Sequence, residues 1–266
     1  MINTRPPAVA GMFYPADAGE LSATIDQLLA NTQNDTVAQP KALIVPHAGY
    51  VYSGSTAAIA YATLKPWAKL IHRVILLGPT HRVAVNGIAL PEAEAFSTPL
   101  GTIRLDAPGI AAIANLPQIV FSDKVHAFEH SIEVHLPFLQ RVLEQFTLVP
   151  LAVGEATAEA VAEVLDKLWD GPEILIVVSS DLSHFLPYGT AQQVDRDTCQ
   201  HILQLDCHIR PEQACGAFPI NGLLLAARQR GLTPTLLSMC NSGDTAGDRN
   251  RVVGYASFSF PVVGHA

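Results

Sequence analysis

Apolar runs of strand length alternate with amphipathic stretches of helix length from one end of the chain to the other. That alternation predicts an α/β domain rather than a succession of hairpins. Core strands are expected at Ala42–Val45, Val74–Leu77, Leu148–Val153, Ile174–Val178, Thr235–Met239 and Val253–Phe260. Most have no polar residues at alternate positions, so they read as central strands covered on both faces. Helices are expected from about Ala18 to Ala30, Ser55 to Leu64, Ser131 to Leu143, Ala158 to Leu168, Ala191 to Leu205 and Asn221 to Gln229, each with apolar positions three and four apart. Between Gly87 and Leu105, "FSTPLGTIRL" reads as a hairpin around a proline-glycine turn, which makes the sheet mixed. The polar stretch "NTQNDTVAQP", residues 31–40, reads as a loop. The expected fold is a single α/β domain over residues 1–266, with a central, mostly parallel, mixed sheet flanked by helices.

Composition narrows the function more than the fold. Hydrophobic residues make up 49% and charged residues 15% of the 266 positions, enough apolar material to cover both faces of a sheet. The formal net charge of −8 argues against broad binding to nucleic acid or an anionic membrane, because neither supplies counter-charge to an acidic surface. No apolar run approaches the ~18 residues of a spanning helix, and the opening "MINTRPPAVAGMFYPAD" lacks the pattern of a signal peptide, so a cytoplasmic location is expected. Cys199, Cys207, Cys215 and Cys240 form no C-x-x-C pair and are read as reduced thiols, the first three without chemistry.

The groups capable of chemistry follow the apolar strands. "ALIV" leads to Pro46-His47, "VILLG" to Pro79-Thr80-His81, "ILIVVSS" to Asp181 and His184, and "TLLSM" to Cys240. Ligands of open α/β sheets bind beyond the carboxyl ends of the strands, so these loops are expected to converge. Neutral imidazole is the commonest transition-metal ligand, and two histidines on neighbouring loops can hold one ion at ~2 Å. His47 and His81 are therefore candidate metal ligands, with Cys240 as a thiolate third. Turn capping by the histidines and plain burial of the thiol remain open on the residues alone. Asp181 and His184 are candidate catalytic residues, the carboxylate orienting an imidazole or binding metal and His184 acting as general acid or base. A helix start capped by Asp181 or Ser183 is the alternative there.

In "HAFEHSIEVHLPFLQ", residues 126–140, a helix beginning near Ser131 places His130 and Glu133 around its first turn and His135 on another face. The spacing is not that of a zinc-protease helix. His130 and Glu133 are read as substrate-binding, with helix-start stabilisation as the alternative. The hairpin and this segment are expected to wall one pocket.

Six blocks in order, "RPPAVAGMFYP", "PHAGYVYSG", "LLGPTH", "EHSIEVHLPFLQ", "SSDLSHF" and "GYASFSF", resemble the Memo family, protein B of the AmmeMemoRadiSam system, over essentially the whole chain. The resemblance implies a fold similar to the LigB-type extradiol dioxygenases, which are non-haem iron enzymes. It also implies a pocket lined by His47, His81 and Cys240, with Asp181 and His184 beside it. Those dioxygenases bind iron through two histidines and a carboxylate. A thiolate at Cys240 is softer, so copper(I) and zinc join iron(II), the first choice, as the one transition metal expected, and ring cleavage is not implied. The function expected is a metal-dependent redox enzyme, dioxygenase-like, acting on a small organic substrate. The alternatives are a non-catalytic binding or adaptor module, since animal Memo proteins are associated with signalling, and a zinc hydrolase in which His184 shuttles protons. Expected partners are a small-molecule substrate and the radical-SAM and AMMECR-type proteins of the same system, with no nucleic acid and no membrane.

Overall fold

Residues too apolar to tolerate a wet face end up at the centre of one sheet. The computed structural model describes residues 2–32 and 38–262. Its strands are β1 (Thr4–Arg5), β2 (Pro40–Val45), β3 (Arg73–Pro79), β4 (Ile88–Leu90), β5 (Ala95–Thr98), β6 (Gly101–Arg104), β7 (Ile119–Phe121), β8 (Thr147–Val153), β9 (Ile174–Ser179), β10 (His184–Leu186), β11 (Thr235–Asn241) and β12 (Val252–Pro261). The main sheet runs β10-β12-β2-β9-β3-β8-β4-β7, with β11 also on β12. Its middle, β2-β9-β3-β8, is parallel throughout. The pleat sends alternate residues to opposite faces. Ala42 and Ile44 of β2 thus join the core under the helices Ala158–Leu168 and Ala217–Gln229, whereas Leu43 and Val45 join the core under Ala18–Ala30 and Tyr50–Ala62. Each such Val, Leu or Ile contributes about 1.5–3 kcal/mol by leaving water.

The α/β class and the mixed sheet agree with the sequence, but the mixing has another origin. β12 lies antiparallel to β2, β10 and β11 lie antiparallel to β12, and β4 is antiparallel to β8. The hairpin is real, β5 against β6, yet it pairs with β1 in a separate three-stranded sheet. The helix expected from Ser131 is shorter: a 3-10 turn, Glu133–His135, precedes an α-helix at Leu136–Val142. Pro137 explains this, because a proline fits only the first turn of an α-helix. The helix expected from Ser55 begins at Tyr50, capped by Gly49. The loop expected at residues 31–40 falls partly outside the described residues. Among those residues, no helix is long and apolar enough to cross a membrane.

Candidate metal centre

β2, β3 and β9 run in one direction, so the residues following them share an edge of the sheet. His47 follows β2 and is 2% exposed. Its backbone N–H donates to Asp181 Oδ1 at 2.8 Å. Its Nδ1 lies 2.6 Å from Ser179 Oγ, and that hydroxyl donates to the Ser131 carbonyl at 2.6 Å. A serine whose proton is already given to a carbonyl can only accept, so Nδ1 carries the imidazole proton and Nε2 the lone pair. The tautomer is fixed by a chain of two hydrogen bonds.

Glu129 does the same for His81. This carboxylate is 1% exposed and accepts the His81 backbone N–H at 2.6 Å and its Nδ1–H at 2.9 Å. It also accepts the backbone N–H groups of His130 and Ser131, at 2.9 and 3.0 Å. Burial pushes its pKa up, but the bonds from His81 and Ser131 outweigh burial and hold it down at about 2. Glu129 is therefore ionised, and because it engages the Nδ1 side of His81, the ring presents its Nε2 edge to the site. The loop bearing His130 reaches this position because it lies directly on β3: a Cβ at Gly78 would stand 2.5 Å from Ser131 Oγ. Phe13 of the N-terminal arm covers His130, ring centroids 4.8 Å apart.

The three imidazoles meet. Ring centroids are 5.2 Å apart for His47 and His81, 5.4 Å for His47 and His130, and 4.6 Å for His81 and His130. One ring nitrogen from each lies within 4.8 Å of the other two. Burial, then the neighbouring histidines, pulls His47 well below the ordinary histidine range. Burial and His81 lower His130 to about 4, against the opposing pull of Glu129. His47 and His130 are thus neutral donors at physiological pH. His130 Nδ1 is buried without a hydrogen-bond partner, 3.4 Å from Glu129 Oε1. Bonds of about 2.0–2.1 Å put tetrahedral donors roughly 3.4 Å apart, so closing on one ion asks little movement. Oriented imidazoles, two of them neutral and the third backed by a carboxylate, fit a transition-metal cation.

Other residues singled out in the sequence take different places. Cys240 is not beyond its strand but inside it, paired with Tyr255 across the β11–β12 ladder. The pleat fixes its direction, and Sγ lies 3.1 Å from Thr56 Oγ1 of the helix Tyr50–Ala62 rather than in the three-nitrogen cluster. Asp181 spends its carboxylate on backbone, and burial, opposed by the N–H groups of His47 and Ala48, raises its pKa to about 7. His184 is exposed at the rim, near enough to His81 for charge on one to bear on the other. Its Nδ1–H donates to the Leu182 carbonyl at 2.8 Å, leaving Nε2 as a free base. The next residue, Phe185, is 59% exposed at φ 60, a strained conformation for an aromatic residue, with Arg251 stacked 5.0 Å from its ring centroid.

Glu133 departs from the substrate-binding expectation. It is fully buried and accepts from Arg5 at 2.7 Å, Tyr14 at 2.6 Å, Ala8 N–H at 2.7 Å and Val9 N–H at 2.9 Å. Arg5 also bonds the carbonyls of His126 and Glu129, at 2.6 and 2.7 Å. A buried carboxylate so fully engaged anchors the N-terminal arm and has no acceptor left for a ligand. Nor does the hairpin wall the histidine site: Leu100, Thr102 and Arg104 line a cavity of about 1170 Å³ with Arg73 and Thr147, at the starts of β3 and β8. Glu129 and Ser179 carry roles that no motif in the sequence assigns, and Cys215, expected to be a thiol without chemistry, lies against the site. Cys215 Sγ lies 3.4 Å from His47 Nε2.

A family model described as "Memo-like protein" matches residues 5–259. A "MEMO1 family protein" of Aquifex aeolicus is 34% identical over 271 residues, covering 97% of this chain and 100% of the relative. One of Methanosarcina acetivorans is 36% identical over 271 residues, covering 96% and 98%. Among solved structures, an uncharacterized protein, JW3007, from Escherichia coli K12 superposes with a TM-score of 0.53 at 14% identity, covering 82% of this chain and 98% of that one. That likeness concerns the fold alone.

Proposed function

The chain belongs to the Memo family, and from that premise we propose that it is a mononuclear metal enzyme, an oxidoreductase of the dioxygenase-like kind, acting on a small organic substrate. The convergence of His47, His81 and His130 carries the reading. When bound, the metal supplies a Lewis acid and, if it is iron or copper, a centre that exchanges electrons. The remaining work falls to the chain. Ser179 and Glu129 keep the proton on Nδ1 of His47 and His81, so that both offer Nε2. Asp181 holds the loop bearing His47 by its backbone. His184, with Nε2 free at the exposed rim, takes a proton from substrate or returns one. Cys240, two strands from β2 across β12, enters the shell only by turning away from Thr56.

Imidazole suits iron, copper and zinc alike, and iron(II) is the metal proposed. A second reading, zinc hydrolase, is favoured by one observation: the cluster is all nitrogen, with no carboxylate among its members. Three histidines are the donor set of a hydrolytic or hydrating zinc site. The radical-SAM and AMMECR-type partners belong to this proposal as well. Protein produced anaerobically without a polyhistidine tag decides between the readings. Iron with oxygen uptake that is lost in His184→Ala supports the oxidoreductase; zinc without oxygen uptake supports the hydrolase; absence of any bound metal sinks both.

A further inference from the structure

Cys215 begins the turn into the helix Ala217–Gln229 and is packed against the loop that follows β9. The approach is close: a Cβ at Gly216 would stand 2.6 Å from the Ser179 carbonyl oxygen. This contact brings the Cys215 thiol to His47. Its sulfur accepts the Asp181 N–H at 3.3 Å and lies 3.4 Å from His47 Nε2. Because Nδ1 of His47 holds its proton on Ser179, Nε2 has only a lone pair to offer, so in this contact the Cys215 S–H is the donor, with the Asp181 carbonyl, farther away at 3.7 Å, as the competing acceptor for the same proton. The nitrogen that a metal needs is therefore already engaged by a thiol. Cys215 is partly exposed, on a cleft of about 430 Å³ lined also by Pro79, Thr80, Gly154 and Phe218. Its sulfur is absent from the group of donors that all lie within 4.8 Å of one another. It reaches His47 without reaching His81 and His130.

We propose that Cys215 is a positioning residue that guards the metal centre: its thiol caps His47 Nε2 while the site is empty and releases it when a metal enters. The proposal rests on the three-histidine reading. The cap holds the ring in the orientation that the cluster requires, and every binding event must first break it. The cost is that of one weak neutral hydrogen bond, so removing the thiol strengthens metal binding by about 2- to 10-fold. After release, the sulfur has lost its nitrogen partner and faces the cleft.

Zinc alone is the probe, titrated into the full chain against a chromophoric chelator. Cys215→Ala is expected to bind zinc about 2- to 10-fold more tightly than the parent, and Cys215→Ser, which keeps a donor at that place, to stay within about twofold. In the unmutated protein, mass-mapped alkylation by iodoacetamide is expected to speed up at Cys215 when zinc is added and to stay unchanged at buried Cys199. Zinc binding weakened in Cys215→Ala together with protection of Cys215 by zinc would make the thiol a ligand and overturn the guard. Unchanged affinity and unchanged alkylation would make it a spectator, which overturns it too. A parent chain that binds no zinc removes the three-histidine reading itself, a failure distinct from the other two.

Discussion

Replacing Glu129 by glutamine changes one atom and removes the charge behind His81. A carboxyl held at about 2 instead of its ordinary 4.5 favours the ionised form by roughly 3 kcal/mol. Oε1 accepts three N–H groups and Oε2 accepts the His81 backbone N–H. Glutamine can leave its oxygen on the three-donor side, but its NH₂ then faces the His81 amide, donor against donor. An amide N–H left buried without an acceptor costs about 1–3 kcal/mol. With the lost charge-assisted bonds, Glu129→Gln is expected to lower metal-free stability by about 3 kcal/mol and metal affinity by about 10- to 100-fold. Urea unfolding in the presence of a chelator gives the first number, and competitive zinc titration gives the second. A variant within about 0.5 kcal/mol of the parent with unaltered affinity, as for a substitution away from any such feature, would refute the role assigned to this carboxylate.

Ser179→Ala frees the His47 tautomer and removes the buried bonds to His47 Nδ1 and the Ser131 carbonyl, so zinc affinity should fall about tenfold in the same titration and stability by about 1–3 kcal/mol in urea unfolding. Glu133→Ala strands Arg5 as a buried unpaired charge and should cost about 3–5 kcal/mol, with limited proteolysis opening the N-terminal arm first; weakened substrate binding in a protein of unchanged stability would restore its expected role. Burial holds the folded-state pKa of His126 at about 4 and of His135 at about 3, so the unfolded chain binds protons that the folded one refuses below the ordinary 6.5. Stability is therefore full above that value and falls as pH drops toward 4, by on the order of 3 kcal/mol for His126 alone. Asp181, raised to about 7, works in the opposite sense between its ordinary 3.8 and 7, so His126→Phe should flatten the acid limb measured by urea unfolding from pH 7 to 4.

The parallel centre of the sheet is legible because residues 42–45, 74–77, 148–153 and 174–178, the bulk of β2, β3, β8 and β9, are apolar at every position, and strand ends located His47, His81, Asp181 and His184. The end of β11 was misplaced by two residues, since nothing in "SMCNSGD" marks where a ladder stops. That slip matters for Cys240, because a residue inside a ladder has its direction fixed by the pleat. His130 was found for its density of neighbours, but its partnership with His47 and His81 depends on a loop resting against Gly78, a contact with no local signature. Glu129 and Glu133 look alike in the sequence, four residues apart. One orients a histidine and the other ties down the N-terminal arm, and only the contact with Arg5 and Tyr14, more than a hundred residues away, separates them.

Metal content of the anaerobically purified chain, measured for the parent, His130→Ala and Cys240→Ser, tests the three-imidazole centre most directly. All three must first be shown to unfold cooperatively, so that a lost site is not mistaken for a lost fold. One transition-metal ion per chain is expected in the parent and in Cys240→Ser, and none in His130→Ala. Metal retained by His130→Ala and lost from Cys240→Ser would contradict it, and would return the site to two histidines and a thiolate.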